Sequence, residues 1–217
     1  MKNINLRIRK DATVMVSAGE HVPDEIIEKF VRSKASWILK HLRHVEERKS
    51  VKELDNLAND HTVYYLGMPY KLEVIETAGR QTALFQENQI ILLVKDRHNV
   101  VTKRNTFNAW LKEKGKTEFK HSLERIHPLV AAYDINKPKI VIRAMKSRWG
   151  SCSFTNNKIT LNTELLKYPV KCIDYVVLHE LAHFRYKKHD QAFYQFLTKI
   201  MPDWKERKKI LKEIAAY

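Results

Sequence analysis

The most constraining feature of this sequence is the segment from Val170 to Met201, which contains no glycine and no proline. Apolar residues recur in its first part at helical spacing, which predicts a helix with one buried side. These residues are Ile173, Val176, Val177, Leu181 and Phe184. Pro169 directly before them suits the first position of a helix. We therefore predict one helix that begins at Pro169 and continues to a turn near Tyr186.

This helix carries the sequence His179-Glu180-Leu181-Ala182-His183. A spacing of four residues is about one helical turn, so both imidazoles lie on one face and can bind a single ion. Glu180 is displaced around the helix and flanks that ion, which suits a general base acting on water. The spacing predicts the centre of a catalytic zinc site.

His189 is the candidate for a third ligand, because a catalytic zinc normally has three protein ligands and one open position. On a straight helix it would lie about 15 Å beyond His179, too far to bind the same ion. We therefore predict a turn at residues 186–188, after which Asp190 caps a new helix. Asp174 and Asp190 are candidates for orienting the ligand rings, with Asp190 preferred.

Hydrolysis of a peptide bond also needs a donor that holds the developing oxyanion. Arg148 and Tyr186 are the candidates, with Arg148 preferred, and a structural ion pair with a carboxylate is the alternative role for Arg148. Gly150 allows a tight bend beside the bulky ring of Trp149. We predict Trp149 and Asn162 as substrate contacts, because a strand edge can receive an extended peptide. An ordinary sheet position is the alternative for Asn162.

The first half of the chain predicts a β-rich arrangement with one helix. Residues 4–16 read as a hairpin that turns at Lys10-Asp11, and residues 23–48 as an amphipathic helix with Trp37 in the core. Short antiparallel strands are predicted over residues 63–94, where glycine and proline separate the apolar runs.

The second half predicts helices around a small sheet. Residues 100–133 form a basic helix, with Lys112, Lys114, Lys116 and Lys120 on its outer side. Two strands, over 139–145 and 158–166, flank an irregular segment. The fold class is α+β, with a β-rich part over residues 1–98 and a second part over 99–217, or with one continuous domain.

The formal net charge of +15 is unevenly distributed. Residues 95–217 carry 26 Lys and Arg against 12 Asp and Glu. Such a field attracts nucleic acid, anionic surfaces or acidic substrates, and an ordinary solvated surface is the alternative. A second hypothesis is therefore a basic nucleic-acid-associated protein with a structural zinc.

The cysteines and the apolar pattern bear on location. Cys152 and Cys172 form no metal or disulfide motif, which favours a reducing compartment, and both are expected to be small buried residues. The sequence contains no signal-like segment and no run of about 18 apolar residues. We expect a cytoplasmic protein without a membrane partner.

Three motifs carry a family resemblance: KSRWGSCS, ITLNTELLKYP and DYVVLHELAH, followed by a later histidine. Together they resemble the YgjP-like metallopeptidase domain, closely over residues 140–204 and weakly over the whole chain. The resemblance implies a zincin-type, gluzincin-like core with an antiparallel sheet. It also implies one zinc per chain on His179, His183 and His189, with Glu180 as base and a protein or peptide as substrate. Many relatives carry Asn-His where this chain has Lys188-His189.

The related SprT-like and WLM peptidases act on proteins attached to DNA. By analogy, the basic second part could recruit a peptidase to nucleic-acid-bound proteins.

Overall fold

The computed structural model describes residues 4–9, 13–39, 42 and 57–214. The chain divides into two compact units, one of residues 1–55 with 216–217 and one of residues 56–215. The predicted boundary between residues 98 and 99 falls inside the second unit. Helices and several sheets occur together, which confirms the mixed α+β class. None of the helices in the described ranges has the length and apolar character needed to cross a membrane.

The first unit begins with a pair of antiparallel strands, β1 (Asn5–Ile8) and β2 (Val14–Ser17). Their side chains alternate between exposed and half-buried positions, as a two-stranded ribbon with one covered face requires. The predicted hairpin is therefore present. Its predicted turn at Lys10-Asp11 lies outside the described residues.

Helix α1 (Asp24–Ser33) is shorter than the predicted helix over 23–48. The Ser33 hydroxyl donates to the carbonyl oxygen of Phe30 and competes with the helical hydrogen bonds, and the chain turns at Lys34 before residues 35–39 become helical again. The prediction that Trp37 is in the core was wrong, because its side chain is 42% exposed. Apart from Leu42, which is helical, the rest of the predicted helix lies outside the described residues.

A four-stranded sheet opens the second unit. Its strands are β3 (Thr62–Tyr65), β4 (Met68–Glu76), β5 (Thr82–Gln86) and β6 (Gln89–Val94), in the order β3-β4-β6-β5. The prediction of antiparallel pairing holds for both hairpins but was wrong for β4 and β6, which pair in parallel. The continuous apolar run of β6 needs cover on both faces, so β6 occupies an inner position and β5 takes the edge.

Helix α2 (Val100–Val130) confirms the predicted long helix and lies against this sheet. Its predicted apolar set, Phe107, Trp110, Leu111, Phe119 and Leu123, is buried. Gly115 is needed in this helix for packing, because a Cβ there would lie 3.3 Å from Phe119 and 3.4 Å from Leu166. Close packing around α2 therefore explains why a glycine, which has low helix propensity, occurs within this helix.

A three-stranded sheet follows, with β7 (Lys139–Arg143), β8 (Gly150–Ser153) and β9 (Lys158–Asn162) in the order β7-β9-β8. Strand β8 lies in the segment that was predicted to be irregular. Its short run of small residues has no apolar alternation, so its pairing with β9 left little signal in the sequence. The predicted antiparallel sheet was wrong for β7 and β9, which are parallel, and right for β8 and β9.

Three helices complete the unit: α3 (Val170–Ala182), α4 (Gln191–Ile200) and α5 (Trp204–Ile214). Helix α3 is almost entirely buried and packs against α2. The two helices are joined by the Asp174 carboxylate, which accepts from the Ser122 hydroxyl at 2.6 Å and from the Arg125 guanidinium at 2.8 Å. This polar contact fixes the register of α3 within an otherwise apolar interface.

We expect Asp174→Ala to lower the free energy of unfolding by about 2 kcal/mol, because it leaves a buried hydroxyl and a half-buried guanidinium without their acceptor. Urea unfolding followed by circular dichroism measures this loss. Glu206→Ala is the matched control, since Glu206 forms an exposed ion pair with Lys171 that should contribute no more than about 0.5 kcal/mol. Equal effects of the two substitutions would contradict a structural role for Asp174.

Candidate metal centre

Helix α3 ends earlier than the sequence predicts, and its end forms the site. His183 caps the helix, and the chain turns over residues 183–185 and bends again at residues 187–188, within the predicted turn. The turn is closed by backbone hydrogen bonds from Phe184 to Leu181 and from Tyr186 to Ala182. Backbone groups thus satisfy the helix end without a glycine.

The turn brings three histidines together. Ligand atoms of His179, His183 and His189 all lie within 4.8 Å of one another, and the Nε2 atoms of His179 and His189 are 3.0 Å apart. Two nitrogens that bind one tetrahedral zinc at 2.0–2.1 Å are separated by about 3.3 Å. The three rings converge on a volume that fits one such ion.

The ring of His183 is oriented by the backbone. Its Nδ1 lies 3.0 Å from the carbonyl oxygen of Tyr186, which accepts a hydrogen bond from the protonated nitrogen. Because Nδ1 carries the proton, Nε2 is unprotonated, and its lone pair is free to bind a metal ion. His179 differs, since its buried Nδ1 has no hydrogen-bond partner in the described part of the chain.

Phe193 on α4 contacts all three imidazoles and was missed by sequence reasoning. Its fully buried ring lies 5.0 Å from His179, 4.9 Å from His183 and 4.8 Å from His189, measured between ring centroids. The only sequence signal was its position four residues after His189 on the next predicted helix. Packing against one rigid ring restricts the rotamers of all three histidines.

The electrostatic surroundings favour the neutral form of the His179 and His189 rings. Burial, together with the neighbouring His183, His189 and Lys208, lowers the pKa of His179 to about 3. Burial and nearby His183 and Lys208 also lower the pKa of His189. Neutral imidazole is the form that binds a metal ion.

The side chain of Glu180 lies against strand β8. Its side chain is 5% exposed, and burial raises the pKa of its carboxyl to about 7, against an opposing effect of the Arg148 charge. A Cβ atom at Gly150 would lie 2.6 Å from Oε1 of Glu180. Gly150 is therefore required for the space that it leaves to the carboxylate, a role beyond the predicted bend.

Asn162 is 3% exposed, and its amide is used within the protein. Its Nδ2 donates to the carbonyl oxygens of Met145 and Arg148 at 2.8 Å each, and its Oδ1 accepts from the amide nitrogens of Met145 and Glu164. These bonds hold the loop that leads into Gly150. The structure thus places Asn162 beneath this loop, where its side chain is closed to a substrate backbone.

The remaining predicted site residues are Arg148, Trp149 and Tyr186. Arg148 is exposed on the loop, near enough to Glu180 for its charge to act on that carboxyl. Trp149 is half-buried and packs edge-on against Tyr168, with ring centroids 4.9 Å apart. The ring of Tyr186 packs against Phe196, and its carbonyl oxygen accepts from Nδ1 of His183.

Neither predicted aspartate orients a histidine ring by a hydrogen bond. Asp174 is bound to Ser122 and Arg125, and Asp190 caps α4 by accepting from the Phe193 amide at 3.0 Å. The predicted cap is thus confirmed. By fixing the first turn of α4, Asp190 acts on the site through the position of Phe193.

We expect Asn162→Ala to increase hydrogen exchange at residues 145–149, because three side-chain hydrogen bonds that hold the loop are lost. Exchange followed by mass spectrometry should show the Met145 amide losing protection. Asn156→Ala, which removes one exposed bond to Ser153, is the control. Unchanged protection in Asn162→Ala would show that the loop is held by other contacts.

No curated protein matches the chain. Among solved structures, the metallopeptidase zymogen of Pyrococcus abyssi abylysin is 25% identical, with 44% of this chain and 90% of that chain covered and a TM-score of 0.38. The metallopeptidase zymogen of Methanocaldococcus jannaschii jannalysin is 23% identical, with 45% and 88% covered and a TM-score of 0.37. The family model for the YgjP-like metallopeptidase domain matches residues 2–214, so the chain belongs to the YgjP-like metallopeptidase family.

Proposed function

We propose that this metallopeptidase depends on one zinc ion per chain, held by His179, His183 and His189. The observation that carries the proposal is the convergence of three imidazoles, with two Nε2 atoms 3.0 Å apart. Three neutral nitrogen ligands and an open fourth position are typical of catalytic zinc. In this proposal α3 is the active-site helix of a zincin-type, gluzincin-like core.

When bound, zinc supplies a Lewis acid that polarises the scissile carbonyl and makes water more acidic. Glu180 is the proposed general base. Its carboxylate accepts a proton from the attacking water and passes it to the leaving amine as the carbon–nitrogen bond breaks. Gly150 supports this role because it leaves the carboxylate room beside strand β8.

Arg148 is the proposed donor to the developing oxyanion. It is exposed at the end of a loop that Asn162 holds from below, and its charge reaches Glu180. A guanidinium placed beside a buried carboxylate also keeps part of that carboxyl ionised. Trp149 on the same loop is the proposed substrate contact, through the part of its ring that Tyr168 leaves uncovered.

Recruitment to nucleic acid stays a prediction, and the contacts of the lysines on α2 bear on it. Of the lysines on the outer side of α2, Lys116 pairs with Glu113 and Lys120 with Glu124. Lys114 lies over the rings of Phe85 and Trp110. This helix therefore offers a polyanion fewer free charges than its composition implies.

We expect Glu180→Gln to keep its zinc and to lose at least about 100-fold in hydrolysis, because the amide accepts no proton from water. A library of unstructured peptides, with new termini identified by mass spectrometry, measures turnover without assuming a cleavage preference. Glu206→Gln is the matched control, since that side chain is exposed on α5.

Two results would contradict this proposal. Wild-type turnover in the Glu180→Gln protein would remove Glu180 as the base. A zinc-loaded wild type that produces no new termini from the library would remove the peptidase assignment of this site.

A further inference from the structure

One side of helix α5 carries lysines that form no ion pair with an acid among the residues that the structure describes. Lys205, Lys208 and Lys212 are spaced three and four residues apart, so they lie on one face of the helix. The acids of this segment are committed elsewhere: Asp203 pairs with Arg207, Glu206 with Lys171 and Glu213 with Lys209. Among residues 57–214, none of the three lysines has a carboxylate within ion-pair distance. We call these three residues the basic edge.

The basic edge reaches the candidate metal centre through stacked aromatic rings. The Lys208 ammonium lies 5.7 Å from the Tyr194 ring centroid and 5.5 Å from that of Trp204. Tyr194 stacks on Trp204 at 5.3 Å and on His189 at 6.3 Å. Lys208 is thus one ring away from the third histidine, and its charge contributes, after burial and the other histidines, to the lowered pKa of His179.

A cleft lies beside the same rings, between α4 and α5. Its volume is about 550 Å³, and its lining includes Gln191, Tyr194, Gln195, Thr198, Trp204 and Lys205. The side-chain amides of Gln191 and Gln195 form no hydrogen bond with any residue in the described part of the chain. The cleft therefore combines apolar ring surface, free amide groups and positive charge, which suits an extended polypeptide with acidic side chains.

We propose that the basic edge and this cleft form a substrate subsite that binds carboxylates of the polypeptide chain on one side of the scissile bond. This inference rests on the proposed function, because it takes the histidine cluster as the point of cleavage. Lys208 acts as a specificity-determining residue next to the metal centre. Lys205 and Lys212 extend the same preference to acidic side chains farther along the substrate.

An acidic polypeptide fits this surface better than nucleic acid does. The free charges form a short row of three, and that row leads directly to a cleft and to the histidines. Nucleic acid binds most strongly where many basic groups follow its phosphates, and the outer lysines of α2 are largely engaged with other side chains. A carboxylate beside Lys208 would in addition be partly shielded from water by the Tyr194 and Trp204 rings, which strengthens the attraction.

Peptide binding to the zinc-loaded Glu180→Gln protein tests the inference without turnover. The probes are fluorescein-labelled dodecapeptides that contain Asp and Glu, and counterparts with Asn and Gln at the same positions. Each is made with a free and with an amidated C-terminus, so that side-chain and terminal carboxylates are distinguished. Fluorescence anisotropy should show about tenfold tighter binding of the acidic peptides at low salt.

Substitutions on α5 test whether Lys208 causes the preference for acidic peptides. We expect Lys208→Met to remove most of the tenfold difference and Lys208→Glu to reverse it in favour of Lys-rich peptides. Lys209→Met is the control on the same helix, since Lys209 is exposed and pairs with Glu213. Zinc content and circular dichroism of each variant confirm that the fold and the histidine cluster are unchanged.

Binding that depends neither on the side-chain carboxylates nor on the terminal carboxylate, or a preference that Lys208→Met leaves intact, would overturn the inference. So would a single-stranded oligonucleotide that binds more tightly than the acidic peptides and loses that binding in Lys208→Met. A preference carried by the terminal carboxylate alone would support a carboxylate site and identify its source. Since binding is measured without hydrolysis, these results are independent of whether the wild type cleaves peptides.

Discussion

The contact of Phe193 with three imidazoles is the interaction on which the candidate site depends. His179 and His183 come from α3, whereas His189 comes from the segment after the turn, and the three share one buried ring as their common neighbour. Phe193 is placed by α4, whose first turn is fixed by the Asp190 cap. Helix α3 is in turn fixed against α2 by Asp174. The positions of α3 and α4 therefore determine where the histidine nitrogens converge, before any ion contributes.

A second constraint acts on the other side of α3. Glu180 is buried against β8, and its carboxylate occupies space that a side chain at position 150 would fill. Because β8 is the edge of the sheet β7-β9-β8, its position depends on pairing with β9 and on the loop that precedes it. The side chain of Asn162, the last residue of β9, holds that loop by three hydrogen bonds. The proposed base and the proposed oxyanion donor are thus positioned by one buried amide.

The sequence predicted the parts of this arrangement that depend on local periodicity. The spacing of His179 and His183 placed both rings on one helix face, and the same reasoning located α2, α4 and most strands. The sequence did not predict which strands pair. The pairing of β4 with β6 and of β7 with β9 depends on burial against segments that are distant in the chain. The small residues of β8 carried too little pattern to be recognised as a strand. The contacts of Phe193 and the role of Gly150 beside Glu180 were identified only from the folded structure. Asn162 had the residue type of a substrate contact but the burial of a structural residue.

Zinc content by elemental analysis tests the central claim most directly. The protein should be purified without a chelator and without a histidine tag, and wild type compared with His189→Ala and with His121→Ala, which changes an exposed histidine outside the cluster. The account predicts about one zinc per chain in wild type and in His121→Ala, and a sharp fall in His189→Ala, because two ligands hold zinc far less tightly than three. Wild-type protein without zinc after zinc has been added back, or undiminished zinc in His189→Ala, would contradict the three-histidine centre.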